Sequence, residues 1–428
     1  MRKKSLFSKD FIIMAIGQII SLFGNQILRF ALPLYLLHQT SSSALFGTIS
    51  AVSFIPMIFL FPIGGVIADR VNKRNIMVVL DFSTSALIFL FSFMVGKFDI
   101  VLLIAATMII LFAIQGAYQP AVKASISVLV DAEYFIQANA VVDVISSSAN
   151  MIGPVMGGLL FSFVGLGPIL YISVGCFFVS AVMELFLRIP FEKKQKERNI
   201  LTSSFHDIKA SFHFVFREKP EILKMSIAYG MVSMLLCSLF VIALPVLLTQ
   251  SLGFDKEFSN QLYGYAEGMI AAGSVLGGLL AGILSKKLTP NIIPRFMIGC
   301  ALSILLCGAA LHFLNSSMAI YVVLVAGCSV LMILASLFQI QMMSYVQMLT
   351  PTALIGKVVS CVICICMCSN PIGQFVYGFI FEHIKRRAYI PFYIAALITV
   401  AISIIAYPTF AKIESEIKQQ IKEPVHRI

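Results

Sequence analysis

The stretch Gly64-Gly65-Val66-Ile67-Ala68-Asp69-Arg70-Val71-Asn72-Lys73-Arg74 sets a glycine pair, one acid and three cations between two long apolar runs, residues 43–67 and 75–96. Charges this dense in so short a loop read as the hairpin between two helices that otherwise avoid water. Glycines let neighbouring helices approach closely. Asp69 suits a helix N-terminus, and Arg70 suits an acid or the carbonyl end of a helix. The predicted role of Gly65, Asp69, Arg70, Lys73 and Arg74 is therefore a latch that holds in one conformation and breaks in another.

Outward from this loop the same apolar pattern repeats over residues 11–37, 100–122, 140–164, 167–187, 222–249, 261–285, 292–313, 318–345, 357–381 and 389–411. Each run exceeds the ~20 residues an α-helix needs to cross ~30 Å of hydrocarbon. The ~10-residue alternating segments of a membrane β-barrel look different. Composition agrees: of 428 residues 59% are apolar and 12% charged, against roughly 25% charged in soluble domains. These values exclude a water-soluble fold, a disordered chain and a collagen-like one. The expectation is an all-α integral membrane protein with twelve transmembrane helices and both termini on one side.

Lysine and arginine choose the side. With the N-terminus inside, 25 of the 31 cations fall in inside segments, and five (Lys97, Lys256, Lys385, Arg386, Arg387) fall outside. The net charge of +11 is thus a topology signal rather than a nucleic-acid surface, and both termini are expected in the cytoplasm, at the plasma or inner membrane. The first apolar run is too long for a signal peptide and is read as a retained helix. All nine cysteines lie in the runs. Cys361, Cys364, Cys366 and Cys368 have no interleaved His or carboxylate, so they read as packing residues, with no metal, disulfide or cofactor expected.

The chain reads as a duplication. Gly64-Gly65 has a counterpart in Gly277-Gly278, Pro154 in Pro371, and the turn at Asp131 in Thr350-Pro351, at nearly constant offset. The expected organisation is a six-helix bundle over 1–189, a linker over 190–220, a second bundle over 221–411 and a tail over 412–428. In the linker Phe205, Ile208, Phe212, Val215 and Phe216 recur at the spacing of a surface amphipathic helix. Parallel repeats with a site between them are a transporter architecture.

On these residues the chain resembles the major facilitator superfamily, whose hallmark loop is G-x-x-x-D-R-x-G-R-[RK]. Gly65, Asp69, Arg70, Lys73 and Arg74 match it, and Asn72 stands where the hallmark has glycine. Residues 150–158, with Gly153, Pro154, Gly157 and Gly158, resemble the G-P-x-x-G-G element of the superfamily's exporters, a plausible hinge. Gly17-Gln18, Ala31-Leu32-Pro33-Leu34, Val130-Asp131-Ala132-Glu133 and Gly356-Lys357-Val358 are similar to the macrolide-efflux branch, which includes siderophore exporters. The resemblance implies export of an amphiphilic drug or related metabolite in exchange for protons, by a monomer in the lipid bilayer. An uptake symporter of the same fold and a non-transporting sensor are the alternatives. No G-x-x-x-x-G-K-[ST] phosphate loop and no H-E-x-x-H occur, so no enzyme is expected.

Arg29 lies within the first run, where facing lipid would cost at least ~2.5–3.5 kcal/mol. Gln18, Ser21, Asn25 and Arg29 form one helical stripe. Gln115 and Gln119 share a face of helix 4, as do Asp143, Ser146, Asn150 and Pro154 on helix 5, and Asn370, Gln374 and Tyr377 on helix 11. Gln18, Asn25, Arg29, Gln115, Gln119, Asn150, Asn370 and Gln374 are the candidate cavity residues. Because arginine does not titrate usefully, proton coupling needs a carboxylate. Glu267, Asp81, Asp143 and Glu184 are the candidates. Glu267 lies deepest and is the expected partner of Arg29, whereas Asp81 and Asp143 lie nearer the helix ends, within reach of loop cations.

Overall fold

The computed structural model describes residues 8–189, 214–284, 289–351, 354–384 and 387–422. Twelve helices there are long and apolar enough to span a membrane: α1 (Lys9–Thr40), α2 (Ser43–Arg70), α3 (Lys73–Met94), α4 (Ile100–Leu129), α5 (Phe135–Val164), α6 (Leu166–Leu185), α7 (Pro220–Ser251), α8 (Lys256–Leu284), α9 (Ile293–Phe313), α10 (Ser317–Leu349), α11 (Ile355–His383) and α12 (Tyr389–Lys422). No strand occurs among the described residues. The spans are those the apolar runs mark out, and α12 continues past residue 411 to Lys422. Most of the amphipathic segment expected in the linker, Phe205, Ile208 and Phe212, lies outside the described residues. Its end forms a π turn, Phe214–Glu218, with Val215 buried and Phe216 exposed.

Helix starts are set by local chemistry. Ser8, Ser42, Asp99 and Ser316 accept the orphan N–H of Phe11, Leu45, Leu102 and Ala319, the role such side chains fill at N-caps. Large apolar side chains such as Leu102, Phe163, Ile283 and Ile405 stay exposed. In water such a surface would aggregate; in lipid it is solvated.

The chain divides into two compact units. One comprises Met1–Gln195 with Leu244–Met269, the other Lys196–Ala243 with Ile270–Ile428. In the first, α1 packs on α5 and α6, α2 on α4, and α3 on α6. A Cβ added to Gly64 would sit 2.8 Å from Ala117 Cα, so α2 and α4 touch backbone to backbone.

In the second unit α7 packs on α11 and α12, and α9 on α12. Gly277 repeats the Gly64 contact: an added Cβ would lie 2.6 Å from the Ile333 carbonyl of α10. The duplication legible in the glycine spacing is therefore a repeated close approach of helices. α7 is the most buried of the twelve spans and is interrupted by π turns at Ser233–Cys237 and Leu247–Ser251. The first turn leaves backbone carbonyls without their usual partners, and Tyr377 Oη donates to Leu235 O at 2.8 Å.

Candidate functional site

The stripe on α1 faces inward and meets three other helices of the first unit. Gln18 donates from Nε2 to the hydroxyl of Tyr118 on α4. Tyr118 in turn donates to Glu184 Oε1 on α6 at 2.7 Å. Ser21 donates to Asp81 Oδ1 on α3 at 3.1 Å. The Tyr118 and Ser180 hydroxyls also lie within hydrogen-bonding reach of Asp81. Glu184 is 0% exposed and Asp81 2%, and the two carboxyls are near enough to interact electrostatically. Asp81 Oδ2 and Glu184 Oε2 are buried without a hydrogen-bond partner. Among the described residues, no lysine or arginine is one of the groups acting on either acid.

Small residues allow the convergence. A Cβ on Gly17 would lie 3.5 Å from Ser180 Oγ, and one on Gly24 2.9 Å from Cys176 Cβ. Ser180 donates to the Gly17 carbonyl at 3.1 Å, fastening α6 to α1. The resulting recess is lined by Ser21, Asn25, Asp81, Thr84, Gln115, Tyr118 and Gln119 among others, with about 20 Å³ of free volume. That is room for about one water, far below the ~300–1,000 Å³ of pockets for drug-sized ligands.

Asn25, Gln115 and Gln119 thus share the recess, and Gln18 joins it through Tyr118. Arg29 lies one turn beyond Asn25 and donates from Nη1 to Gln115 Oε1 at 3.2 Å. Its guanidinium carbon sits 4.4 Å from the centre of the Phe112 ring and 6.0 Å from that of Phe54. The expected pairing of Arg29 with Glu267 is not formed. Glu267 on α8 lies within hydrogen-bonding reach of Tyr263, whose ring stacks on Phe30 at 4.6 Å. Phe30 neighbours Arg29 in sequence but points to another face of α1, which keeps Glu267 and Arg29 apart. Asp143 is exposed, and Asn150 pairs with Gln26. In the second unit Asn370 accepts from Ser233 at 3.0 Å, supporting the π turn of α7, while Gln374 is buried with Oε1 unpartnered. No group of three or more metal-ligating side chains occurs among the described residues.

The sequence profile of the Major Facilitator Superfamily matches residues 14–368, most of the chain. The chain belongs to the Major Facilitator Superfamily. It is 24% identical to the uncharacterized MFS-type transporter YfiS of Bacillus subtilis (strain 168) over 65% of its length, which is just under two thirds of that relative (66%). It is 25% identical to macrolide efflux protein A of Streptococcus pyogenes, over 67% of this chain and 70% of that one. Among solved structures, the nucleoside transporter NupG superposes with a TM-score of 0.69 at 14% identity, covering 95% of this chain and 99% of that one. A D-xylose–proton symporter also superposes at 0.69, with 13% identity and coverage of 93% and 96%. The likeness to solved structures establishes the fold alone, the multi-pass helical fold of the superfamily.

The superfamily loop can now be placed. Asn72 caps α3, accepting from the Arg74 amide at 3.0 Å, and the Arg74 guanidinium donates to the Leu185 carbonyl at the end of α6. A cation at a helix C-terminus is favourable, so Arg74 fastens α3 to α6 inside its own unit. Arg70 is exposed, Gly65 has open space where a Cβ would stand, and the Asp69 side chain lies outside the described residues. The glycines of the 150–158 element are seats for other helices: Gly153 receives Gln26, Gly157 receives Phe30, and Gly158 meets α8 backbone, with an added Cβ 2.7 Å from the Asn260 carbonyl. α5 itself runs unbroken from Phe135 to Val164.

Tyr118 was missed by sequence reading, although it lies three residues from Gln115 and so shares its face. Ser173, Ser180 and Glu184 form a polar stripe on α6 that was there to be read; all three are fully buried. Tyr118→Phe leaves Gln18 and Glu184 without their shared partner, and a buried group so orphaned costs about 1–3 kcal/mol. The expected result is a lowered melting temperature of the purified protein in detergent. An unchanged melting temperature would mean that water or a rearranged Gln18 takes over the contact.

Proposed function

We propose that this chain is a secondary active exporter of an amphiphilic drug or related metabolite, driven by proton antiport with alternating access, in the cell membrane with both termini cytoplasmic. The observation that carries the proposal is the buried pair Asp81 and Glu184, bridged by Tyr118 and facing no cation. Two carboxylates close together and out of water repel one another and lose hydration. A proton relieves both penalties, so such a pair takes up a proton when the recess is closed and releases one when water or a cation enters. Gln18, Ser21, Asn25 and Gln119 supply the polar path by which the proton reaches it. The membrane potential contributes about 2.3 kcal/mol per charge per 100 mV, enough to drive exchange if each cycle returns a proton to the cytoplasm.

Export, rather than uptake, is supported by the 25% identity with macrolide efflux protein A and by the G-P-x-x-G-G element on α5. Asp81 and Glu184 are the proposed proton carriers in preference to Glu267, which is tied to Tyr263, and to the exposed Asp143. The loop from Gly65 to Arg74 is the proposed conformational latch, and a monomer suffices.

The test is accumulation of labelled macrolides, a tetracycline, cationic dyes and carboxylated amphiphiles in cells that lack their own pumps and express this chain. Accumulation reduced severalfold, and restored by an uncoupler, is the expected result. Increased accumulation would replace export with uptake. No change across the panel, with the protein present in the membrane, would reject both.

A further inference from the structure

Arg29 is a permanent cation inside the membrane-spanning part of the first unit, and among the described residues no carboxylate acts on it. Its recorded partners are the Gln115 side-chain oxygen and the faces of Phe112 and Phe54. The two acids nearest along the polar stripe are engaged elsewhere, Asp81 by Ser21 and Glu184 by Tyr118. Glu267 is held at Tyr263. The side chain is partly buried, held between the Gln115 amide and the Phe112 ring. Only one of its five N–H donors is used in a described hydrogen bond.

A charged side chain at membrane depth is costly unless it pairs or lines a wet cavity. Aromatic faces and an amide stabilise a cation without neutralising it, so the site keeps one unit of positive charge. Gln115 joins it to the recess that Asn25 also lines, and the Asn25 side-chain oxygen is buried without a partner.

From this geometry we propose that Arg29 is an anion anchor: the exported molecule carries a carboxylate or phosphate that docks on the guanidinium, while its apolar part lies against the partly exposed Phe54. The fork of donors matches a carboxylate two-to-two, which a lysine ammonium cannot do. Gln115 holds the guanidinium in place until the anion arrives. The cargo class is therefore narrowed from amphiphiles in general to anionic amphiphiles. This rests on the reading of the recess as part of a transport path, but it is tested without transport.

Because the chain contains no tryptophan, a dansyl probe can be excited with little interference from the protein. Purified full-length protein in phosphatidylcholine nanodiscs is titrated with 11-(dansylamino)undecanoic acid, its methyl ester and the matching terminal amine. Wild type is expected to bind the acid at least tenfold more tightly than the ester, equivalent to ~1.4 kcal/mol, and the amine more weakly still. Arg29→Gln should erase the preference for the acid, and Arg29→Lys should retain part of it. Should both variants fail to fold, the acid-to-ester ratio of wild type decides alone. Equal affinity for acid and ester, or a preference for the amine, would overturn the proposal. Loss of acid binding in phosphatidylglycerol nanodiscs would assign Arg29 to a lipid headgroup and overturn the cargo assignment. A protein that prefers the acid yet moves none of it under a proton gradient would fail as an exporter while keeping its anion site.

Discussion

Glu184→Gln is expected to lower proton-driven export by more than about tenfold, a larger loss than a single uncharged hydrogen bond accounts for. The substitution is nearly isosteric. Glutamine can still accept from Tyr118, so the packing of α4 against α6 survives, but an amide cannot take up a proton in the carboxylate's place. Asp81→Asn removes the other half of the pair and should cost a similar factor. If the pair carries a single proton between its two carboxyls, as proposed, the double variant should be no worse than the weaker single one. Purified protein in liposomes separates coupling from folding: exchange of labelled for unlabelled substrate with no gradient should persist in each variant, while movement driven by a pH step is lost. If both single variants retain more than about half of the gradient-driven rate, the coupling acid lies elsewhere and Glu267→Gln is the next variant to make.

The second large effect is expected at Gly158. Here α5 and α8 meet with no side chain between them, and an added Cβ would lie 2.7 Å from the Asn260 carbonyl and 2.8 Å from Gly264 Cα. Both neighbours are backbone, which cannot rotate out of the way. Gly158→Leu therefore forces the helices apart along Pro154 to Ser162, where Ser162 also donates to the Glu257 carbonyl at 2.9 Å. Overpacking of this kind costs about 1–3 kcal/mol. Any conformation that includes the contact is disfavoured by that amount, and a cycle passing through it slows by roughly five- to 150-fold. Gly175→Ala, where an added Cβ meets nothing within 4 Å, should transport normally. Wild-type rates in Gly158→Leu would mean that the α5–α8 contact is not on the transport cycle.

How far the sequence alone could go depended on the range of the interaction. Span positions follow from apolar run length because nothing but lipid selects them, although α4, α5, α8 and α12 extend five to eleven residues beyond their apolar runs. The polar stripe of α1 was equally legible, since a 3.6-residue repeat of Gln18, Ser21, Asn25 and Arg29 has one interpretation in an apolar helix. Partner choice was not. Asp81 is eight residues from the start of α3 and invites pairing with loop cations, yet the chain folds it onto Ser21, 60 positions away. Depth along a helix says little about rotation around it. Glu267 and Arg29 sit at plausible depths to meet, and only the stacking of Phe30 on Tyr263 shows which way each helix is turned. The polar face of α11 likewise looked like a cavity wall, whereas Asn370 and Tyr377 support the distorted backbone of α7.

That distortion has a geometric consequence for α7. A π turn closes i to i+5 rather than i to i+4, which absorbs one additional residue, so everything beyond it lags regular winding by about 100° around the axis. Across the first such turn Pro220–Val232 and Ser238–Val246 follow two different angular phases, and the second ends the helix at Ser251. A single amphipathic repeat cannot describe the helix, and each part chooses its own neighbours. Deleting one residue between 233 and 237 would return the helix to regular winding at that point, leave Pro220–Val232 and Ser238–Val246 in their present phase, and strand Tyr377 without the carbonyl it now holds. The additional residue in α7 thus frees a backbone carbonyl for α11 without turning the helix, an arrangement set by residue count that no substitution at a single site alters.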